Sequence, residues 1–296
     1  MKSYQYKNGN TTVQLLSDGT KIREFEGTPE PTFPESIDLK ITNYCDLFKL
    51  CQFCHEASNM SGKHADLGKF HFLLEQLPNG AELAIGGGNP LAHPDLLTFL
   101  TKARDENVVC NLTINEQHLK PFRGLLKQLI EDDLVKGVGN SYTGKRSKDV
   151  EYFCNLSKNV VFHVIMGIHD IDDLEVMRGF TNKVLILGYK HFRKGNSFYE
   201  KHSEEVEKNL YQWYIGIPRY FKNMTLSFDN LAISQLKLER WFPQNSWDQF
   251  YMGDDGTFTM YIDAVNQKFA KSSTSKNTFD VNGDIEQMFN AVKSGN

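Results

Sequence analysis

Along the chain, short apolar alternating runs take turns with segments whose apolar residues recur every three or four positions. Residues 36–42, SIDLKIT, put Ile37, Leu39 and Ile41 on one face, which predicts a buried strand. Residues 66–77 carry Leu67, Phe70, Leu73, Leu74 and Leu77 at helical spacing. The pattern then repeats. Strands are predicted at 82–86, 107–114, 135–141, 159–166 and 183–188, and helices at about 94–106, 119–131, 147–157 and 171–178. Pro94 suits a first helical turn. Six such units with near-continuous apolar strands predict a parallel sheet buried on both faces, hence an α/β fold.

The flanks read differently. In residues 1–35, YQYKN, TTVQLL and KIREFEG are strand-like and joined by Asn8-Gly9 and Asp18-Gly19 turns. This is expected to be an appended β-hairpin, a lid or edge cover without chemistry, followed by the proline-rich linker EGTPEPTFPES. Beyond residue 195, an amphipathic helix is predicted at 201–221 and a strand running into a turn and helix start at 223–234. A hairpin is predicted over 249–273, with QFYMG as one strand and turns at Asp254-Asp255-Gly256 and Asn266-Gln267. The chain ends in a short helix, IEQMFNAV.

Composition narrows the class. Hydrophobic residues make up 40% and charged residues 24% of 296 positions, as in ordinary globular proteins. No run approaches the roughly 20 apolar residues of a membrane span. A net charge of −4 gives no global basic footprint for nucleic acid. Five cysteines, an odd number, with no signal peptide argue against a disulfide framework and for a reducing cytoplasm.

Three of those cysteines carry the chemistry. Cys45, Cys51 and Cys54 follow the first long strand at once, in a C-x5-C-x2-C spacing. Ligands of parallel α/β folds bind at that carboxyl end. Three thiolates without a fourth leave a metal site open. Zinc closed by His55 or His64 is one alternative, although His55 abuts Cys54 and fits the usual spacings poorly. Three buried thiols acting as small hydrophobes are another. A second motif follows the next strand: Gly86, Gly87 and Gly88 admit close backbone approach, Asn89 offers an amide, and Pro90 stiffens the exit.

Together the two motifs resemble those of radical S-adenosylmethionine (SAM) enzymes. That family's signature is C-x3-C-x2-C after the first barrel strand, with an aromatic residue before the third cysteine, here Phe53. Its second signature is a GGE or GGGEP run after strand two, which Gly86 to Pro90 resembles. The first cysteine gap is longer here, and Asn89 stands at the acidic position. The resemblance covers about residues 36–190 well.

It implies a partial (β/α)6 TIM-type barrel at 36–195, preceded by the hairpin and linker at 1–35. A C-terminal β-rich extension at 196–296 would close the barrel and shape the substrate pocket. It implies a [4Fe–4S] cluster on Cys45, Cys51 and Cys54, and SAM bordered by Phe53, Gly86, Gly87, Gly88 and Asn89. It also implies oxygen sensitivity and a low-potential electron donor such as flavodoxin or ferredoxin.

Thr113 and Ser141, at strand ends similar to family endings, are further SAM candidates, with ordinary turn chemistry an equal alternative. Lys190 heads a basic and aromatic run through Lys194 that would hold the SAM carboxylate or an anionic substrate group. His163 reads as a core or barrel-lining residue. The loop 144–148 reads as solvated, and Asp229, Tyr261 and Asp263 as satisfied sheet polarity.

The substrate does not follow. A peptide or protein side chain is slightly favoured, ahead of a nucleotide or nucleic acid and of a small metabolite. Two remaining cysteines, Cys110 and Cys154, are too few for an auxiliary cluster. The alternative of another class is a non-catalytic zinc- or iron–sulfur-binding module.

Overall fold

A computed structural model describes residues 2–144, 148–179 and 183–295; most of the 144–148 loop lies outside them. All six predicted strands form: β4 (Ser36–Thr42), β5 (Glu82–Gly87), β6 (Val109–Asn115), β7 (Gly137–Ser141), β8 (Val160–Ile165) and β9 (Lys183–Leu187). They alternate with α1 (His71–Gln76), α2 (Leu96–Asp105), α3 (Arg123–Glu131), α4 (Lys148–Leu156) and α5 (Asp173–Met177). The third helix starts later than expected because Pro121, which lacks an amide hydrogen, stands before its first turn.

Two more parallel strands extend the six, so the sheet is larger than the expected (β/α)6 unit. After α6 (Lys194–Gly216), β10 (Thr225–Phe228) pairs with β9. After α7 (Asn230–Leu236) and α8 (Gln244–Phe250), β11 (Thr259–Asp263) pairs with β4. The parallel order is β10-β9-β8-β7-β6-β5-β4-β11. Antiparallel β12 (Lys268–Ala270) and β13 (Phe279–Asp280) follow, and α9 (Ile285–Ser294) packs its apolar face into the core. The expected QFYMG strand is instead the last residues of α8 and the loop after it, where Tyr251 stacks on Trp247. The turn at Asn266-Gln267 does join two strands, β11 and β12.

One cavity of about 1590 Å³ is lined by residues from all eight parallel strands, so the sheet rolls around it. The strands are therefore not apolar on both faces. Outward positions such as Ile37, Leu83, Cys110, Phe162 and Ile186 are buried in the core among the helices. Inward positions such as Asp38, Asn111, Gly139 and Ser227 face the cavity. β10 and β11 are not hydrogen-bonded strands to each other; across that seam Asn230 Nδ2 donates to Asp255 Oδ1 at 2.7 Å.

The N-terminal element is a three-stranded antiparallel sheet rather than a hairpin: β1 (Tyr4–Asn8), β2 (Thr11–Leu15) and β3 (Lys21–Phe25). It closes the floor of the barrel. The Asp18-Gly19-Thr20 turn lines the cavity. Arg23 grips fully buried Glu35, Nη2 to Oε2 at 2.7 Å and Nε to Oε2 at 2.8 Å, and Lys21 meets Glu82 at 2.6 Å. Among the described residues no helix is long and apolar enough to cross a membrane.

Candidate functional site

The loop leaving β4 carries the cysteines. Its backbone is pinned where Cys45 N donates to Asn59 O, Cys51 N to Leu47 O and Cys54 N to Cys51 O. All three thiols border the cavity, Cys45 buried and the others half-buried. Burial pushes the Cys51 thiol up to about 11, with the charges of Cys54 and Cys45 adding to it. Burial also raises Cys45, and the Lys194 ammonium opposes the rise in both. A cation bound by these thiols would displace their protons. Asn115, at the end of β6, points its amide at Cys51 Sγ from 3.8 Å. A three-thiolate donor set opening onto a cavity fits an iron–sulfur cluster with one iron left for another ligand.

Neighbouring elements hold this loop from two sides. Lys194 Nζ donates to Phe48 O and Ser58 O at 3.4 Å, and Arg193 Nη1 to Glu56 O at 3.0 Å. The sequence had offered these two cations to an anionic ligand; in the fold they bind loop carbonyls. From below, Lys40 on β4 meets Glu56 at 2.7 Å and Asp263 at 3.1 Å, almost fully buried. Burial opposes ionisation of Glu56, but His55 and Lys40 outweigh it and hold the carboxyl at about 2.

The glycine run has two jobs. A Cβ on Gly88 would lie 2.0 Å from Tyr44 O, and one on Gly87, which has φ +117°, 2.4 Å from Thr42 O. Both are glycines because β5 ends against the cysteine loop. Gly86 is different: a Cβ there would meet only Thr113 Cβ at 3.8 Å, so this position is open toward the cavity.

Of the eleven residues expected to bind cluster or SAM, ten line the one cavity: Cys45, Cys51, Cys54, Phe53, Gly86, Gly87, Gly88, Thr113, Ser141 and Lys190. Phe53 packs edge-on against Phe198, with 5.9 Å between ring centres. Lys190 Nζ reaches Ser273 Oγ at 3.3 Å. Asn89 is the exception. It is fully buried outside the cavity wall, and its Nδ2 donates to Asp46 Oδ1 at 3.1 Å. Of the zinc-ligand alternatives, His55 pairs with Glu56, and His64 Nδ1 lies 2.9 Å from Thr42 Oγ1.

Sequence reasoning missed three groups. Asp46 and His118 lie beside Cys45, the three ligand atoms within 4.8 Å of one another. A D directly after the first cysteine was the available signal for Asp46; His118 gave none. Burial opposes ionisation of Asp46, but hydrogen bonds from His118 and Asn89 hold its carboxyl below the usual range. Asp38 faces the cavity from β4 with its surface open to it; enclosure by the barrel raises its carboxyl to about 6, Lys190 opposing and Asp255 and Asp229 adding. His163 does line the barrel, neutral because burial lowers it to about 4, in space that Gly139 leaves free. Asp229 caps α7 and Asp263 pairs with Lys40, so both are satisfied within the protein as expected.

No family model matches the chain, and no curated protein is similar enough to match it. Solved structures of SuiB from Streptococcus suis share the fold. SuiB bound to the precursor peptide SuiA superposes with a TM-score of 0.59 at 15% identity, over 88% of this chain and 65% of that one. SuiB bound to S-adenosylmethionine gives 0.55 at 13% identity, over 89% and 68%, and unbound SuiB 0.52 at 14%, over 88% and 66%. This chain thus spans about two thirds of SuiB's length.

Proposed function

We propose that this chain is a radical SAM enzyme acting on a peptide or protein side chain. The observation that carries the reading is the convergence of Cys45, Cys51 and Cys54 with Gly86 to Gly88 on one cavity at the carboxyl ends of β4 and β5. Cys45, Cys51 and Cys54 would hold a [4Fe–4S] cluster. Gly86, Phe53, Thr113, Ser141 and Lys190 would border SAM. When bound and reduced, such a cluster supplies the electron that splits SAM into methionine and a 5′-deoxyadenosyl radical able to abstract hydrogen.

The chain's own part is positional. The Lys194, Arg193 and Glu56 contacts fix the cysteine loop, and the barrel wall screens the reacting centre from bulk water. Peptide as substrate class is supported by SuiB, a similar fold solved with a precursor peptide. It is also supported by a cavity of about 1590 Å³, whose wall mixes apolar side chains with polar ones such as Asp38, Asn111 and Ser227, as room for a guest. Reduction would come from a low-potential donor such as flavodoxin or ferredoxin.

The test is anaerobic reconstitution with iron and sulfide, then SAM and dithionite, with 5′-deoxyadenosine read by mass spectrometry. Wild type is expected to form it. Cys51→Ala is expected to lose the product and most bound sulfide while keeping its circular dichroism. Uptake of about one zinc without sulfide would overturn the reading in favour of a metal-binding module.

A further inference from the structure

We infer that Asp46 is a positioning residue that seats the Cys45 side chain and places a negative charge beside it. The inference takes the cluster reading above as its premise for the loaded protein, and stands on apo geometry otherwise. One carboxylate oxygen, Asp46 Oδ1, accepts from Asn89 Nδ2 at 3.1 Å and from His118 Nε2 at 3.0 Å. Asn89 belongs to the loop after β5, and His118 to the turn after β6. Three loops at the carboxyl end of the barrel therefore meet on one atom, next in sequence to Cys45 and within 4.8 Å of its sulfur. Both donors are committed. Asn89 is fully buried and His118 is 1% exposed, so neither has water as an alternative partner. The next loop is tied on in turn, because Glu116, two residues before His118, accepts from Thr143 N and Oγ1 at 2.9 Å.

This explains the amide at position 89. A carboxylate there would face Asp46 across a hydrogen-bond distance, and two like charges so close repel. The amide donates instead, and the acid of this corner sits at position 46. The acid and the amide are therefore expected to exchange places.

The exchange gives the test. In the apo protein, alkylation of Cys45 by iodoacetamide is followed by peptide mass spectrometry, with buried Cys110 as internal control. Asp46→Ala removes both hydrogen bonds and is expected to speed Cys45 alkylation about tenfold. Asp46→Asn keeps an acceptor oxygen and is expected to stay within about twofold of wild type. Asn89→Asp is expected to behave like Asp46→Ala, and the double exchange Asp46→Asn with Asn89→Asp to return toward wild type. In the reconstituted protein, Asp46→Asn is expected to shift the cluster midpoint potential positive at unchanged iron content, since a negative charge beside the cluster is gone. A merely structural loop contact would not move that potential. Wild-type Cys45 reactivity in Asp46→Ala, or no recovery in the double exchange, would overturn the clamp. An unshifted potential would overturn the electrostatic part. Failure of wild type to take up iron and sulfide would sink the cluster reading, while the alkylation rates still decide the clamp.

Discussion

Asp38 illustrates how a single side chain acquires its chemistry from where its strand points. Its neighbours Ile37 and Leu39 are buried among helices, while its carboxyl faces the cavity without a hydrogen-bond partner among the described residues. Its folded-state value of about 6 lies above the ordinary 3.8, so the folded protein holds this proton more tightly than the unfolded chain does. Because the side chain is open to the cavity, the contribution to stability is small; it is complete below about pH 3.8 and is lost as pH rises through about 6. Asp38→Asn has no such proton to lose. Urea denaturation is therefore expected to show the variant gaining on wild type between pH 4 and 7. An equal difference at both ends of that range would count against the assignment. His163, on β8, loses its proton near pH 4 and presents an uncharged ring to the cavity at higher pH.

At the scale of elements, the end of β5 shows that glycines of one motif are not equivalent. The sequence pointed to close ligand approach for all three. The fold divides them: Gly87 and Gly88 admit the chain's own Thr42 and Tyr44 carbonyls, and only Gly86 is open. Gly88→Ala is expected to unseat the cysteine loop and lower the thermal midpoint by several degrees, with loss of iron uptake. Gly86→Ala is expected to melt close to wild type but to bind SAM more weakly in calorimetry on reconstituted protein. Equal melting losses in both variants would contradict this division. The cysteine loop itself was legible from its position after β4. Its clamps were not, because Lys40, Asn89, His118, Lys194 and Asp263 come from five separate stretches of the chain.

For the whole molecule, the floor of the barrel couples the N-terminal sheet to the core. Glu35 has no exposure, and Arg23 supplies its guanidinium at 2.7 Å. Breaking a buried pair by removing one partner costs about 3–5 kcal/mol, because the remaining charge stays buried alone. Lys21, 3.9 Å from Glu35, remains as a weaker partner, so Arg23→Met is expected to destabilise the protein by less than that, about 1.5–3 kcal/mol, in chemical denaturation. A loss under about 1 kcal/mol would mean that the N-terminal sheet is dispensable to the barrel. The expected lid is thus a floor, opposite the cysteine loop, and the two enclose the cavity from its two ends.

Local sequence determined the six central strands, most helices between them, and the two motifs at the ends of the first two strands. Periodicity and turn chemistry act over a few residues, so they are written locally. It did not determine the polarity of the barrel interior, because a polar residue facing a cavity has the same spacing as one facing bulk solvent. Strands were legible at 223–234 and in the alternation of Phe258, Met260 and Ile262, but not their parallel pairing, because β10 joins β9 across the long α6 and β11 finds β4 more than two hundred positions away. The tertiary structure alone decided that Asn89 turns from the cavity to hold Asp46, since that choice depends on which loops the closed sheet brings together.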